Sequence, residues 1–207
     1  MLEPDDFAFV RRLIRQESGM VLADGKKYLV ESRLRALARQ EELPDVKTLV
    51  TRLRAGHGGP LAEAVVESVL IGETSFFRDA HPFEALRDTI LPELVRSRAN
   101  RRALNLWCAA TSTGQELYSL ALLIVDSFPE LAGWRIRLLG TDFSERMLAR
   151  TREGRYSEAE MGRGLPDALR QRFFCRDGSD WVLDASIRRR VELRRLNLIR
   201  DWPPLPA

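Results

Sequence analysis

The sequence predicts an α/β domain preceded by an all-helical segment. Apolar residues recur at helical spacing up to about residue 70, and from Ala103 the pattern changes to short apolar runs separated by helices. A strand, a small-residue turn and a helix then follow one another between Leu104 and Leu123. At 207 residues the chain has room for one larger domain or two small ones sharing an interface. A hydrophobic fraction of 44% with 30% charged residues is an ordinary globular composition and argues against disorder. The net charge is +3 and the pI about 9.2, so a local basic face that suits an acidic partner matters more than a global field. The N-terminus lacks a basic leader with an apolar core, and nowhere do eighteen apolar residues run together, so neither export nor membrane insertion is expected. Cys108 and Cys175 form neither a disulfide framework nor a metal-ligand set; reduced thiols in the cytoplasm are expected, with no metal.

The elements follow in order. Phe7, Val10, Leu13 and Ile14 lie on one face of a first helix that begins at Asp5-Asp6 and is capped by Gly19. A second helix covers roughly Gly25 to Glu41, with Val30, Leu34, Leu37 and Ala38 inward and Tyr28, Arg35 and Arg39 outward. Val46, Leu49, Val50 and Leu53 mark a third helix ended by Gly56, and Gly58-Gly59-Pro60 separates it from a fourth through Leu61, Val65 and Val69. A further helix from Asp79 to Ser97 is expected to bury Phe83, Leu86, Ile90 and Leu94. Strand Leu104 to Cys108, a helix from Gln115 to about Asp126, and a strand from Arg135 ending in Thr141-Asp142 give the α/β pattern. Ser144 caps the next helix, which ends near Gly154. Asp177-Gly178 sits in a hairpin between Phe173-Phe174-Cys175 and Trp181-Val182-Leu183, and Ile187 to Leu196 adds another strand.

The turn between Ala109 and Glu116 carries the chemistry. A dinucleotide loop needs several glycines so that a pyrophosphate can approach its backbone, and here only Gly114 interrupts the turn. Glu116 at the head of the following helix repels phosphate and suits a cationic ammonium or sulfonium group. Asp142 closes the second strand about one βαβ step later, where a carboxylate accepts hydrogen bonds from ribose hydroxyls. A phosphate-free nucleoside bearing positive charge fits both, and S-adenosyl-L-methionine has those properties.

Three strings make the resemblance specific: Gly72-Glu73-Thr74-Ser75-Phe76-Phe77-Arg78-Asp79, Thr111-Ser112-Thr113-Gly114-Gln115-Glu116-Leu117-Tyr118-Ser119-Leu120 and Gly140-Thr141-Asp142-Phe143-Ser144. Together with Tyr28-Leu29-Val30-Glu31-Ser32-Arg33-Leu34, they resemble the CheR-type chemotaxis receptor methyltransferases in the right order over nearly the whole chain. The resemblance implies an N-terminal all-helical subdomain followed by a Rossmann-like methyltransferase domain with a small β-hairpin subdomain, the C-terminal part of its sheet missing. In residues, that is a helical receptor-recognition domain over 1–70, a linker and first helix over 71–102, and a partial cofactor-binding α/β domain over 103–207 with a β-subdomain around 173–196. It implies methyl transfer from S-adenosyl-L-methionine to glutamate carboxylates on the helical cytoplasmic region of bacterial chemoreceptors. The products are glutamyl methyl esters and S-adenosyl-L-homocysteine, made by a cytoplasmic monomer.

Carried over by position, the resemblance implies that Thr74 and Arg78 contact the methionine end of the cofactor, Arg78 through its carboxylate, while Glu116 holds the ammonium and Asp142 the ribose. Asn197 and Leu198 match the pair that lies against adenine. Gly72 stands where family members usually have Asn, so a contact there runs through the backbone. The basic residues Arg33, Arg35 and Arg39 would draw in an acidic receptor bundle. In the family a strand of C-R-N-x-x-I-Y-F type follows, with a tyrosine near the transferred methyl; this sequence stops at Trp202-Pro203-Pro204-Leu205-Pro206-Ala207 and reads as a truncated member. No catalytic base is expected, because a glutamate with a pKa of about 4.3 is already ionised at neutral pH.

Plainer readings stand beside these. Arg35 and Arg39 suit the solvated face of an amphipathic helix, Phe76 and Phe77 suit the core, and Arg78 suits an ion pair with Glu73 or Asp79. His57 and His81 read as surface or capping residues, and Arg188-Arg189-Arg190 with Arg194-Arg195 as a charged strand face or a docking surface. The alternative function is a noncatalytic cofactor-binding or receptor-docking module of the same family. Nucleic acid is not an expected partner, since neither an N/D-P-P-Y string nor an aromatic-interleaved basic patch is present.

Overall fold

The computed structural model describes residues 2–56, 59–70 and 72–205, so the sequence readings of His57, Gly58, Pro206 and Ala207 lie outside the described residues. The chain divides into two compact units, Met1–Ile71 with Asn197–Trp202 and Gly72–Leu196 with Pro203–Ala207.

Among the described residues, four α-helices build the first unit. Helix α1, Pro4–Ser18, starts on a proline with Asp5 and Asp6 in its first turn and ends at left-handed Gly19, whose N–H donates to the Arg15 carbonyl. Helix α2, Lys27–Gln40, enters through a 3₁₀ turn at Asp24–Lys26 and buries Val30, Leu34, Leu37 and Ala38 as the periodicity predicts. Helix α3, Val46–Gly56, buries Val46, Leu49, Val50 and Leu53, and α4, Pro60–Val69, buries Ala62, Val65, Val66 and Val69. The segment from Asn197 joins this unit through α1: Asn197 Nδ2 donates to the Glu17 carbonyl at 2.7 Å, and Arg200 pairs with the Glu17 carboxylate at 2.8 Å.

The second unit begins with α5, His81–Ala85, which runs through a π turn at Leu86–Ile90 into α6, Leu91–Ser97. This corrects two expectations. The helix starts at His81 because Phe77, Asp79 and Ala80 have positive φ and cannot be helical. Its buried position is Leu91 rather than Ile90, which stays 44% exposed. The cause is Pro92, which has no N–H and whose ring would crowd the carbonyl four residues back; the wider π turn relieves that clash and shifts the inward face by one residue.

A parallel sheet follows. Strand β1, Ala103–Ala109, pairs with β2, Arg135–Asp142, with Ala109 opposite Thr141; β2 pairs on its other side with β6, Val191–Arg195, giving the order β1-β2-β6. Helix α7, Gln115–Ser127, links β1 to β2 and is buried along most of its length. Helix α8, Glu145–Glu153, follows β2, with Ser144 as its N-cap and left-handed Gly154 as its C-cap, as read from the sequence.

The expected hairpin at Asp177-Gly178 is present, and a further strand, Arg155–Ser157, pairs with its second arm to make a three-stranded antiparallel sheet. It contains β3 (Arg155–Ser157), β4 (Phe174–Asp177) and β5 (Asp180–Leu183), with helices α9 (Glu158–Met161) and α10 (Asp167–Phe173) between β3 and β4. Helix α11, Ala185–Arg188, takes Ile187 into the core, so the last strand begins at Val191 and not at Ile187. Phe76 ties the subdomain to the core, meeting Tyr156 and Phe174 edge to face at 5.0 and 5.6 Å. Phe77 packs similarly on Phe83 at 5.1 Å, so both phenylalanines are packing residues.

Candidate functional site

The site grows from the C-terminal ends of β1 and β2, where parallel strands of an open sheet deliver their loops. Beyond Ala109 the chain coils tightly through left-handed Ala110, Ser112 and Gly114. Gly114 is obligatory: its φ is 89°, and a Cβ there would lie 2.4 Å from Thr151 Cγ2. The Thr111 N–H continues the ladder by donating to the Thr141 carbonyl.

Asp142 organises the loop. One carboxylate oxygen accepts the Ser112 N–H at 2.7 Å, and the other accepts the Ser144 N–H at 2.9 Å. The carboxylate therefore joins the loop after β1 to the head of α8, and each oxygen retains a lone pair for a further donor. Three carbonyl anchors complete the support. Thr151 Oγ1 donates to the Ser112 carbonyl at 3.0 Å, the Tyr156 hydroxyl to the Thr113 carbonyl at 2.9 Å, and the Tyr118 hydroxyl to the Thr151 carbonyl at 2.6 Å. Sequence reasoning missed Thr151 and Tyr156.

Glu116 stands exposed at the first turn of α7. Its Oε1 accepts a hydrogen bond from Cys108 Sγ at 3.0 Å. Burial, then the hydrogen bond and negative charge of Glu116, push the Cys108 thiol up to about 12, so it remains a protonated donor. Thr111 Oγ1 is buried in the same loop and lacks a well-formed hydrogen bond among the described residues.

The other sequence-identified residues distribute as follows. The Gly72 carbonyl accepts the Ser112 hydroxyl at 2.7 Å, which brings the start of the second unit to the loop. A Cβ at position 72 would lie 3.0 Å from Met147 Cε and 3.1 Å from Ser112 Oγ, so a larger side chain would displace them. Thr74 is half-buried. Arg78 is exposed; it donates to the Glu73 carbonyl at 3.1 Å and lies 3.9 Å from the Asp79 carboxylate. Asn197 and Leu198 belong to the first unit, where the Asn197 amide is engaged by Glu17 and Ile199. On α2, Arg33 reaches the Ser68 carbonyl, Arg35 pairs with Glu31 at 2.8 Å, and Arg39 donates to the Arg35 carbonyl. His81 is exposed beside Glu84. Arg194 pairs with Glu192, and Arg195 donates to the Phe143 carbonyl.

A rim with two carboxylates and one spare lone pair on each Asp142 oxygen suits a ligand of hydroxyl groups and positive charge. That chemistry places the second unit among α/β domains that bind a nucleoside cofactor. A family model described as "CheR methyltransferase, SAM binding domain" matches residues 72–207, and one described as "CheR methyltransferase, all-alpha domain" matches residues 5–70. The chain belongs to the CheR methyltransferase family, and its cofactor is S-adenosyl-L-methionine. It is 39% identical over 207 residues to chemotaxis protein methyltransferase 1 of Pseudomonas aeruginosa, covering 97% of this chain and 74% of that one. It is 37% identical over 195 residues to the chemotaxis protein methyltransferase of Vibrio parahaemolyticus, covering 92% and 70%. Among the described residues, no helix is long and apolar enough to cross a membrane.

Proposed function

We propose that the chain methylates glutamate side chains on the helical cytoplasmic region of bacterial chemoreceptors, forming methyl esters, and acts as a monomer in the cytoplasm. The observation that carries this reading is the loop clasped by Asp142 with Glu116 at the head of α7. The names of the relatives support the chemotactic setting. In this reading Glu116 holds the cofactor's ammonium, Asp142 its ribose, and Arg78, with Thr74 and the backbone at Gly72, its carboxylate. Asn197 and Leu198 remain assigned to the adenine on the sequence match alone.

When bound, the cofactor supplies an electrophilic methyl group. The chain's own contribution is alignment: Glu116 and Asp142 fix the ligand at two points, and the anchored loop holds them in place. A receptor glutamate arrives ionised, so no residue has to remove a proton. Support for an acidic helical partner comes from α2, where Tyr28 is 84% exposed beside a groove of about 500 Å³ that Lys27 and Arg35 help line. Arg33 and Arg39 add positive charge that no carboxylate pairs with among the described residues.

Saturating S-adenosyl-L-homocysteine is expected to raise the Tm of the folded chain, and Glu116→Gln and Asp142→Asn to weaken its binding about tenfold or more. Labelled methyl groups should pass from the cofactor to receptor fragments as base-labile esters. A folded sample with no Tm shift refutes the cofactor assignments. Binding without ester formation refutes the enzymatic reading and leaves the noncatalytic docking module in its place.

A further inference from the structure

A second cavity, of about 360 Å³, opens among Tyr118, Arg152, Arg188, Arg189, Val191 and Leu193. Arg152 lies in the last turn of α8, Arg188 ends α11, and Val191 opens β6 opposite Leu138, with Leu193 opposite Gly140. Neither Glu116 nor Asp142 lines this cavity. The loop held by Asp142 lies at the C-terminal edge of the parallel sheet.

The walls combine three guanidinium groups with the apolar Val191 and Leu193, and among the described residues no carboxylate lines them. Arg188 is fixed in place: its Nε donates to the Leu183 carbonyl at 3.1 Å, and its Nη1 to the Glu153 and Arg152 carbonyls at 3.3 and 3.5 Å. It thus closes the carbonyl end of α8 while Nη2 keeps its donors. Arg152 is paired with Glu145 at 2.6 Å. Among the described residues the Arg189 side chain makes no ion pair; Asp184 is its nearby carboxylate, and that group already accepts the Ser186 N–H at 2.6 Å. With Arg152 paired to Glu145 and Asp184 facing both Arg189 and Arg188, the positive excess at the cavity rests on Arg188 and Arg189, and an anion seated between them is attracted by both. Forked guanidinium donors suit the oxygens of a phosphate, and Val191 and Leu193 offer surface to an uncharged portion of the same molecule. The volume falls within the range of small-molecule sites.

We propose that this cavity binds a small phosphate-bearing molecule, with Arg188 and Arg189 on the phosphate and Val191 and Leu193 under the remainder. The test is calorimetry and thermal shift on the full chain with inorganic phosphate, pyrophosphate and AMP, each at matched ionic strength against sulfate and with S-adenosyl-L-homocysteine saturating. The expected result is binding by at least one phosphate ligand and not by sulfate. Preference for AMP identifies an organic phosphate as the ligand, and preference for phosphate or pyrophosphate an inorganic one. Arg189→Ala should lower the affinity about tenfold and Arg189→Glu should abolish it, with binding of S-adenosyl-L-homocysteine unchanged in both. Equal effects of sulfate, unchanged affinity in Arg189→Glu, or no binding at millimolar ligand would each overturn the proposal.

Discussion

Cys108 and Cys175 show how far two identical side chains can be driven apart by their surroundings. Cys108 is buried in β1 against Glu116, and Cys175 is exposed on β4. Thiolate is the reactive form, so N-ethylmaleimide at pH 8 should label Cys175 in the native chain and reach Cys108 only after denaturation, as read by peptide mass spectrometry. Native labelling of Cys108 at the same rate would contradict the hydrogen bond to Glu116. A linked effect appears at alkaline pH. The unfolded thiol ionises near pH 9 and the folded one near about 12, so the unfolded state sheds its proton first. The contribution of Cys108 is therefore complete below pH 9 and is lost as pH rises toward 12, by at most about 1.4 kcal/mol per pH unit. The unfolded forms of the buried Tyr118 and Tyr156 ionise near pH 10 and add a slope of the same sign, so between pH 9 and pH 10 denaturation curves of Cys108→Ser should show a shallower loss of stability than the parent chain. The places of Asp142 at a strand end and Glu116 at a helix start are legible in the sequence because both are local signals. Thr151 and Tyr156 are not, because their hydroxyls meet the loop across 39 and 43 residues of chain.

At the scale of elements, the helix from His81 to Ser97 separates what periodicity can and cannot see. The helix itself was legible from its apolar spacing, but a 3.6-residue period carried through Pro92 selects Ile90 as the inward residue, and the π turn gives that place to Leu91. Leu91→Ala should cost about 2–5 kcal/mol in urea denaturation and Ile90→Ala less than about 1 kcal/mol. The reverse order would mean that an uninterrupted α-helix persists in solution. Helices α1 to α4, α7 and α8 were readable because their caps and faces are written in adjacent residues. Strand β3 and helix α9 were not, since three and four residues hold too few apolar positions to reveal a period. Tyr156 and Met161 are buried there through tertiary contacts with Phe76 and its neighbours.

For the molecule as a whole, charge matters more through its placement than its total. The net charge is only +3, yet α2 presents Lys27, Arg33 and Arg39 without carboxylate partners among the described residues. Attraction between such a helix and an acidic receptor is screened over about 10 Å at 0.1 M salt. Raising ionic strength from 0.05 to 0.5 M should lower kcat/KM toward receptor fragments, chiefly through KM, while the Kd for S-adenosyl-L-homocysteine changes far less. Arg39→Glu should reduce both the rate at low salt and its salt dependence. Equal salt sensitivity in Arg39→Glu would remove α2 from the docking surface.

The loop after β1 is tied down by Asp142, Thr151 and Tyr156 through the chain's own hydrogen bonds. The consequence concerns time. A ligand meeting a surface already in its final shape does not wait for chain rearrangement, so its arrival is paced by diffusion and its residence by the contacts it makes. Substitutions that leave the anchors intact and remove only a ligand contact should therefore change the dissociation rate of S-adenosyl-L-homocysteine far more than its association rate, as read by stopped-flow fluorescence.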